Sequence, residues 1–422
     1  MEEKTMKKVG ITLFLLACTL VFVSCKLSDK EKLNEEAYLL YASKDYNGAI
    51  ESYTKAIESY PDYSDFYTNR GMAYHEVGEN DFAMKDLDKA IELDPKSPEA
   101  YGNRGYVNLA LGYNNAAGED LNKALELKSK FESKDSLMLT YLNMGTLKSI
   151  LGEKDEALEW YDKAIAIGIE DPGVYNAKGM VLKDLLRYEE ALSYFNKALE
   201  VDESFAYAYS NRANVYLIQG ELDLAMSDIS TALKIDRNIP QSYIIKGQIL
   251  SALDNPEEAI KVYSTAISIW PGYSEAYFQR GTVYFNSGNY AEAIFDYTFA
   301  TDYGQMEGYK GKGKVFRKIG QYEDAITSFS KYLEVVGDDP NIFMELGMTY
   351  QAMKAYDKAL ASFDRVISLT KDFADPYILK GLTYEEMGKY SEAIRMFDKA
   401  IEIEPENQTA IDEKKHIQET YQ

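Results

Sequence analysis

Residues 64–97 read SDFYTNRGMAYHEVGENDFAMKDLDKAIELDPKS, and variations on that stretch fill most of the chain. Counted from Ser64, Tyr67 is the fourth residue, Gly71 the eighth, Tyr74 the eleventh and Gly78 the fifteenth. Ala83 follows as the twentieth, Leu87 as the twenty-fourth, Ala90 as the twenty-seventh and Pro95 as the thirty-second. Apolar residues fall at helical spacing on both sides of Gly78 without β-branched alternation, so the unit reads as two amphipathic helices joined by a turn. Pro95, like Pro61, Pro271 and Pro405, stops the second helix, because proline lacks the N–H and clashes with the preceding turn.

The twentieth residue recurs as Ala49, Ala83, Ala117, Ala157, Ala191, Ala225, Ala259, Ala293, Ala325, Ala359 and Ala393, with gaps of 34, 34, 40, 34, 34, 34, 34, 32, 34 and 34. A fixed period of this size marks stacked supersecondary units. The eighth residue is glycine in nine repeats and alanine in the other two, Ala37 and Ala213. Glycine within a helix costs about 1 kcal/mol against alanine, so its return needs a reason. The expected reason is that the two helices of a unit cross there, with the recurrent alanines as the facing contact.

With an aromatic fourth, Gly eighth, Tyr eleventh, Ala twentieth and twenty-seventh and Pro thirty-second, the unit resembles the tetratricopeptide repeat. The resemblance runs from about residue 30 to 407. Departures are local: Leu33 replaces the aromatic in the first repeat, and Tyr332 and Val366 replace the later alanine in repeats nine and ten. The resemblance implies an all-α, right-handed superhelical solenoid of about eleven helix-turn-helix repeats. Its concave groove would be lined by the first helix of each repeat, at positions two, five, six, nine, twelve and thirteen.

Composition bounds the function. With 46 basic and 69 acidic residues the net charge is −23, which repels nucleic acid and anionic lipid, so no nucleic-acid partner is expected. The start of the chain reads as a targeting segment. Lys7 and Lys8 precede an apolar run over 9–23, which ends at Phe22-Val23-Ser24-Cys25. This resembles a bacterial lipoprotein signal, with Cys25 as the acylated residue and Cys18 as the alternative. A further alternative is an uncleaved anchor, although fifteen apolar residues fall short of the ~20 that span a bilayer. Either reading tethers the repeats to a membrane in the cell envelope, on the outer face of the inner membrane or at the outer membrane. Both cysteines lie in this segment, so the mature chain has no disulfide, thiolate nucleophile or Cys metal site.

The organisation expected is a signal over 1–24, a short tether over 25–29, repeats one to three over 30–131 and an inserted loop over 132–137. Repeats four to eleven then occupy 138–407, and 408–422 forms a capping helix and tail. The insertion reads as a surface loop or weak hinge.

Catalysis is not expected. Histidine occurs only as His75 and His416, neither in a metal-ligand spacing nor beside a nucleophile. Gly311-Lys312-Gly313-Lys314 looks like a phosphate loop but falls within a helix and includes the packing Gly313. No cofactor or metal is implied.

Binding residues are sought where the repeats differ. The seventh residue is arginine in four repeats, as Arg70, Arg104, Arg212 and Arg280. In those four alone the twenty-third is aspartate, as Asp86, Asp120, Asp228 and Asp296. We read these as structural bridges between the two helices of a repeat, since the guanidinium fork engages a carboxylate bidentately. The sixth residue is Asn69, Asn103, Asn143 or Asn211 in four repeats. Asparagine there resembles the family's clamp on a peptide backbone. Around Asn69, however, stand Asn34, Tyr38, Glu99 and Asn103, which cannot hold a C-terminal carboxylate, so a chaperone-tail adaptor is not expected. Ile244, Phe278 and Phe285 form an apolar groove set, and Lys310, Lys314, Arg317 and Lys318 a basic stripe in an acidic protein. The chain is therefore expected to bind protein segments, extended or helical, as a membrane-anchored scaffold. A receptor for peptides or a small ligand is the alternative, and an enzyme the third reading.

Overall fold

The computed structural model describes residues 28–370 and 372–421, so Cys18 and Cys25 lie outside the described residues. These contain twenty-three α-helices, one 3₁₀ turn at Lys128–Lys130 and no strand. The chain forms two compact units, Met1–Asn211 and Arg212–Gln422. Each is a stack of antiparallel helix pairs, such as Ser64–Glu76 with Asn80–Leu93 and Ser274–Asn286 with Tyr290–Asp302.

The turn inside every pair is made by its fifteenth residue, which always has positive φ. Gly78 (φ 82°) is typical: its N–H donates to His75 O and that of Glu79 to Tyr74 O, closing the helix end. Lys44, Leu186, Asp254 and Lys354 hold the same place without being glycine. At Leu186 φ is 61° and the side chain is 72% exposed, so no packing offsets the left-handed conformation. That conformation costs an L-residue about 1–2 kcal/mol, partly offset by the greater unfolded-state freedom of glycine. Leu186→Gly is accordingly expected to stabilise the fold by about 1 kcal/mol, read as a higher denaturant midpoint at unchanged slope.

The recurrent alanines are fully buried, but the eighth-position glycine faces a different group, the twenty-fourth side chain of its own repeat. A Cβ on Gly179 would lie 2.6 Å from the Phe195 ring, and one on Gly381 the same distance from Phe397. The space is somewhat wider at Gly71, where a Cβ would lie 3.0 Å from Leu87, and at Gly281, where it would lie 3.1 Å from the Tyr297 ring. The glycine therefore admits an aromatic ring edge into the helix crossing. In the first repeat Ala37 coexists with Tyr53, both buried, where described residues pack the helix Asp29–Ala42 on one side only.

Between repeats a second device recurs. The seventh residue also reaches the twenty-fifth of the preceding repeat, sixteen residues back. Arg70 Nη1 donates to Thr54 Oγ1 at 3.0 Å, Arg104 Nη1 to Asp88 Oδ1 at 2.7 Å and Arg280 Nη1 to Ser264 Oγ at 2.7 Å. Where lysine is seventh, Lys178 pairs with Asp162 and Lys380 with Asp364. The helix Gln408–Tyr421 uses the same device: Lys414 lies 2.7 Å from Asp398. With Ala410 and Ile417 buried and Tyr421 stacked on Tyr390 at 4.0 Å, that helix packs as the first half of a further repeat.

Both spacing faults have local structures. The six extra residues do not remain a loop, because a helix runs over Lys134–Ile150, its N-cap Ser133 accepting from the Asp135 N–H at 3.0 Å. Helical turn thus replaces most of the expected loop over 132–137. Glu132 N–H donates to Glu99 Oε1 at 2.8 Å, fixing the segment to the third repeat, and both flanking repeats belong to one unit. The eighth repeat, two residues short, brings the helix Glu307–Lys318 close onto Tyr290–Asp302. A Cβ on Gly308 would stand 2.7 Å from both Thr301 Cγ2 and Tyr297 O, and one on Gly311 2.7 Å from the Tyr297 ring. These glycines are close-approach residues of a short repeat.

Candidate functional site

Within each unit the first helices of successive repeats touch one another as well as their own partners: Ser64–Glu76 meets Pro98–Ala110, and Ser274–Asn286 meets Glu307–Lys318. Their shared face is where the groove positions fall, and side chains thirty-five residues apart join across it. Asn69 Nδ2 donates to Asn34 Oδ1 at 2.9 Å, and Asn211 Nδ2 to Asn176 Oδ1 at 2.9 Å. Asn34 and Asn176 are fifth-position residues, and each pairs with the sixth-position asparagine of the following repeat, a contact that no single repeat displays. The signal was a fifth-position asparagine one repeat before a sixth-position one. Asn103 and Asn143 sit on the same face, half-buried.

In the first unit this face holds a polar recess of about 410 Å³ lined by Asn34, Asp65, Thr68, Asn69, Lys96, Glu99, Lys130 and Glu132, among others. Burial raises the Glu99 carboxyl above its ordinary range, opposed by the Glu132 N–H bond and reinforced by the nearby Glu132 and Asp65 charges. The six-residue insertion thus supplies one rim of the recess.

The four arginines are engaged in forks. Nε and Nη2 meet the two carboxylate oxygens at 2.7 and 2.8 Å in Arg70–Asp86, 2.9 and 2.6 Å in Arg104–Asp120, 2.6 and 2.8 Å in Arg212–Asp228, and 2.8 and 2.7 Å in Arg280–Asp296. All four aspartates are buried. Asp120 receives a further bond from Asn108 Nδ2 at 3.0 Å.

In the second unit the groove set divides. Ile244 is a correction: it is 1% exposed and belongs to a core cluster with Tyr263, Ala276 and Val283. Neighbouring apolar residues close over this fifth-position side chain, so it offers no groove surface. Phe278 and Phe285 are half-buried and share a pocket of about 280 Å³ with Thr282, Tyr297, Gly311, Lys310 and Lys314.

The basic stripe is partly answered by the next repeat. Arg317 Nε bonds Glu345 Oε2 at 2.9 Å, whereas Lys314 reaches Glu345 and Lys310 reaches Asp339 only at 3.9 Å; Lys318 is exposed. Lys312 points away from this face: burial pushes its ammonium down, and it lies 3.3 Å from Thr301 Oγ1 and over the Tyr309 ring.

His75 is tied into packing, with Nδ1 2.7 Å from Asn80 Oδ1 and the ring edge-on to Tyr106. His416 is exposed on the terminal helix. Among the described residues no group of three or more His, Cys, Asp or Glu could hold a metal ion.

Comparison with known proteins agrees with this architecture. Tetratricopeptide repeat models match residues 98–131, 140–167, 176–242, 246–298, 311–376 and 374–407, and a TPR repeat model matches 37–78 and 73–112. A curated relative, the small glutamine-rich tetratricopeptide repeat-containing protein 2 of Mycosarcoma maydis, is 38% identical over 60 residues, 14% of this chain and 17% of that protein. The match thus spans less than a fifth of the relative's length. Among solved structures, YrrB, described as a TPR protein with an unusual peptide-binding site, is 26% identical with a TM-score of 0.38, covering 44% of this chain and 97% of that one. A tetratricopeptide repeat protein of Parabacteroides merdae is 18% identical with a TM-score of 0.44, covering 58% and 98% respectively.

Proposed function

Since the chain belongs to the tetratricopeptide repeat family, we propose that it is a scaffold that holds protein partners on the face formed by its first helices, tethered to a bacterial envelope membrane through an acylated cysteine. The observation that carries the binding reading is the chemistry of that face. It presents amide pairs and a polar recess in one unit, and an aromatic pocket with cations in the other. Several modest contacts along a repeat array add through effective concentration. Assembly or regulation of envelope complexes is the role this design suits.

The tether rests on the residues themselves: Lys7 and Lys8, the apolar run over 9–23, and Cys25, with Cys18 as alternative. Among the described residues no helix is long and apolar enough to cross a membrane. Growth with a clickable fatty acid is expected to label the wild type and Cys18→Ser but not Cys25→Ser. Label retained on Cys25→Ser and lost on Cys18→Ser moves the site to Cys18, and no label on any of the three removes the lipid anchor.

The binding reading is tested by pull-down from envelope extracts, with Lys310, Lys314, Arg317 and Lys318 changed to Glu as one variant and Asn69 and Asn103 changed to Asp as another. Loss of partners in either variant, at unchanged helical content, supports it; an identical partner set in both opposes it. A second reading, a receptor for a small polar ligand, has the recess beside Glu99 in its favour.

A further inference from the structure

We propose that the pocket between Phe278, Phe285, Tyr297 and Gly311 receives one apolar side chain of an extended partner peptide whose flanking carboxylates are held by Lys310 and Lys314. This rests on the scaffold reading and specifies the partner's chemistry at one place. Gly311 is the only glycine at the sixth position of any repeat, where other first helices carry Asn, Gln, Glu, Ala, Ile or Leu. Its missing side chain leaves room for the Tyr297 ring, whose hydroxyl donates to Thr282 Oγ1 at 3.2 Å. Phe278 packs against that ring with centroids 5.7 Å apart. The result is an aromatic-lined pocket of about 280 Å³ on the face where first helices meet, with room for one ring or branched aliphatic group. Apolar surface exposed in a concave place is an ordinary mark of a binding site.

Charge selects the occupant. In a chain of net charge −23, four cations stand within nine residues along this face. The ion pairs of the two at the pocket are loose, at 3.9 Å, and Lys310 also stands 5.8 Å from the Tyr332 ring centre, so a carboxylate arriving at hydrogen-bond distance makes a closer contact than any these lysines have. Glu307, one helical turn before Lys310, is the single carboxylate in the pocket lining, so the two lysines outnumber it and the lining keeps a net positive charge.

The test is fluorescence anisotropy with the full chain in detergent micelles and three labelled ten-residue peptides in a Gly/Ser background. Their central triplets are Glu-Phe-Glu, Glu-Ala-Glu and Lys-Phe-Lys. The first is expected to bind at least tenfold more tightly than either of the others. Its advantage over Lys-Phe-Lys should collapse in Lys310→Ala/Lys314→Ala, a surface change that leaves folding intact by circular dichroism. Its advantage over Glu-Ala-Glu should survive that change and fall in Phe278→Ala. Equal binding of the three peptides, or tight binding indifferent to the lysine pair, overturns the pocket assignment. If the groove captures partners at Asn103 while these peptides fail, the pocket falls and the scaffold reading stands.

Discussion

Arg280→Ala is expected to destabilise the second unit by about 3–5 kcal/mol, the usual cost of leaving a buried charge without its partner. Asp296 is 1% exposed and both its oxygens are bonded to the Arg280 fork, so removing the guanidinium strands a carboxylate away from water. The loss should depend on pH. Burial already raises the Asp296 carboxyl, opposed by Arg280; without the arginine that opposition vanishes. A folded-state pKa above the unfolded value means the folded form binds its proton more tightly, so the deficit is full at neutral pH. It shrinks as pH falls through the folded pKa. Denaturant melts of Arg280→Ala, Asp296→Asn and the double variant check this. The double should recover much of the loss, because a neutral amide is far cheaper to bury than an unpaired charge. Arg187→Ala, which breaks an exposed pair with Glu190, should leave the midpoint unchanged. Additive single losses would contradict the account of the pair.

Gly179→Ala is the second large effect and runs against helix propensity. Alanine should gain up to about 1 kcal/mol in a helix interior. At Gly179 the added methyl would meet the fully buried Phe195 ring at 2.6 Å, and overpacking a filled site costs about 1–3 kcal/mol. We expect a net loss of about 1–2 kcal/mol, while Gly71→Ala, facing Leu87 at 3.0 Å, should be neutral or slightly stabilising. Combining Gly179→Ala with Phe195→Leu should cost less than the sum of the single changes. Strict additivity would mean that the glycine does not exist to admit the ring.

The repeat architecture was legible because it is written eleven times: period, turn residue and packing alanines each recur at fixed places. The Arg–Asp pairing was legible for the same reason, as a correlation inside one chain. Contacts that cross a repeat boundary were harder to see. Lys178 with Asp162 has the same sixteen-residue separation as Arg70 with Asp86, but a reading confined to single repeats looks only forward. The fate of a groove residue was harder still. Ile244 and Phe278 hold the same fifth position, yet one is sealed by its neighbours and the other lines a pocket. What decides between them is partly the glycine at position 311 and the two missing residues before it, features of the adjoining repeat rather than of the residue itself.

The central claim is that partners are held on the first-helix face. A photoreactive amino acid placed at Asn103 and at Lys318, on that face, and at Glu119 and Glu334, on exposed sites of second helices, tests it in living cells. Irradiation is expected to give discrete higher-mass adducts from Asn103 or Lys318 and none from Glu119 or Glu334. Adducts confined to the second-helix sites would contradict it.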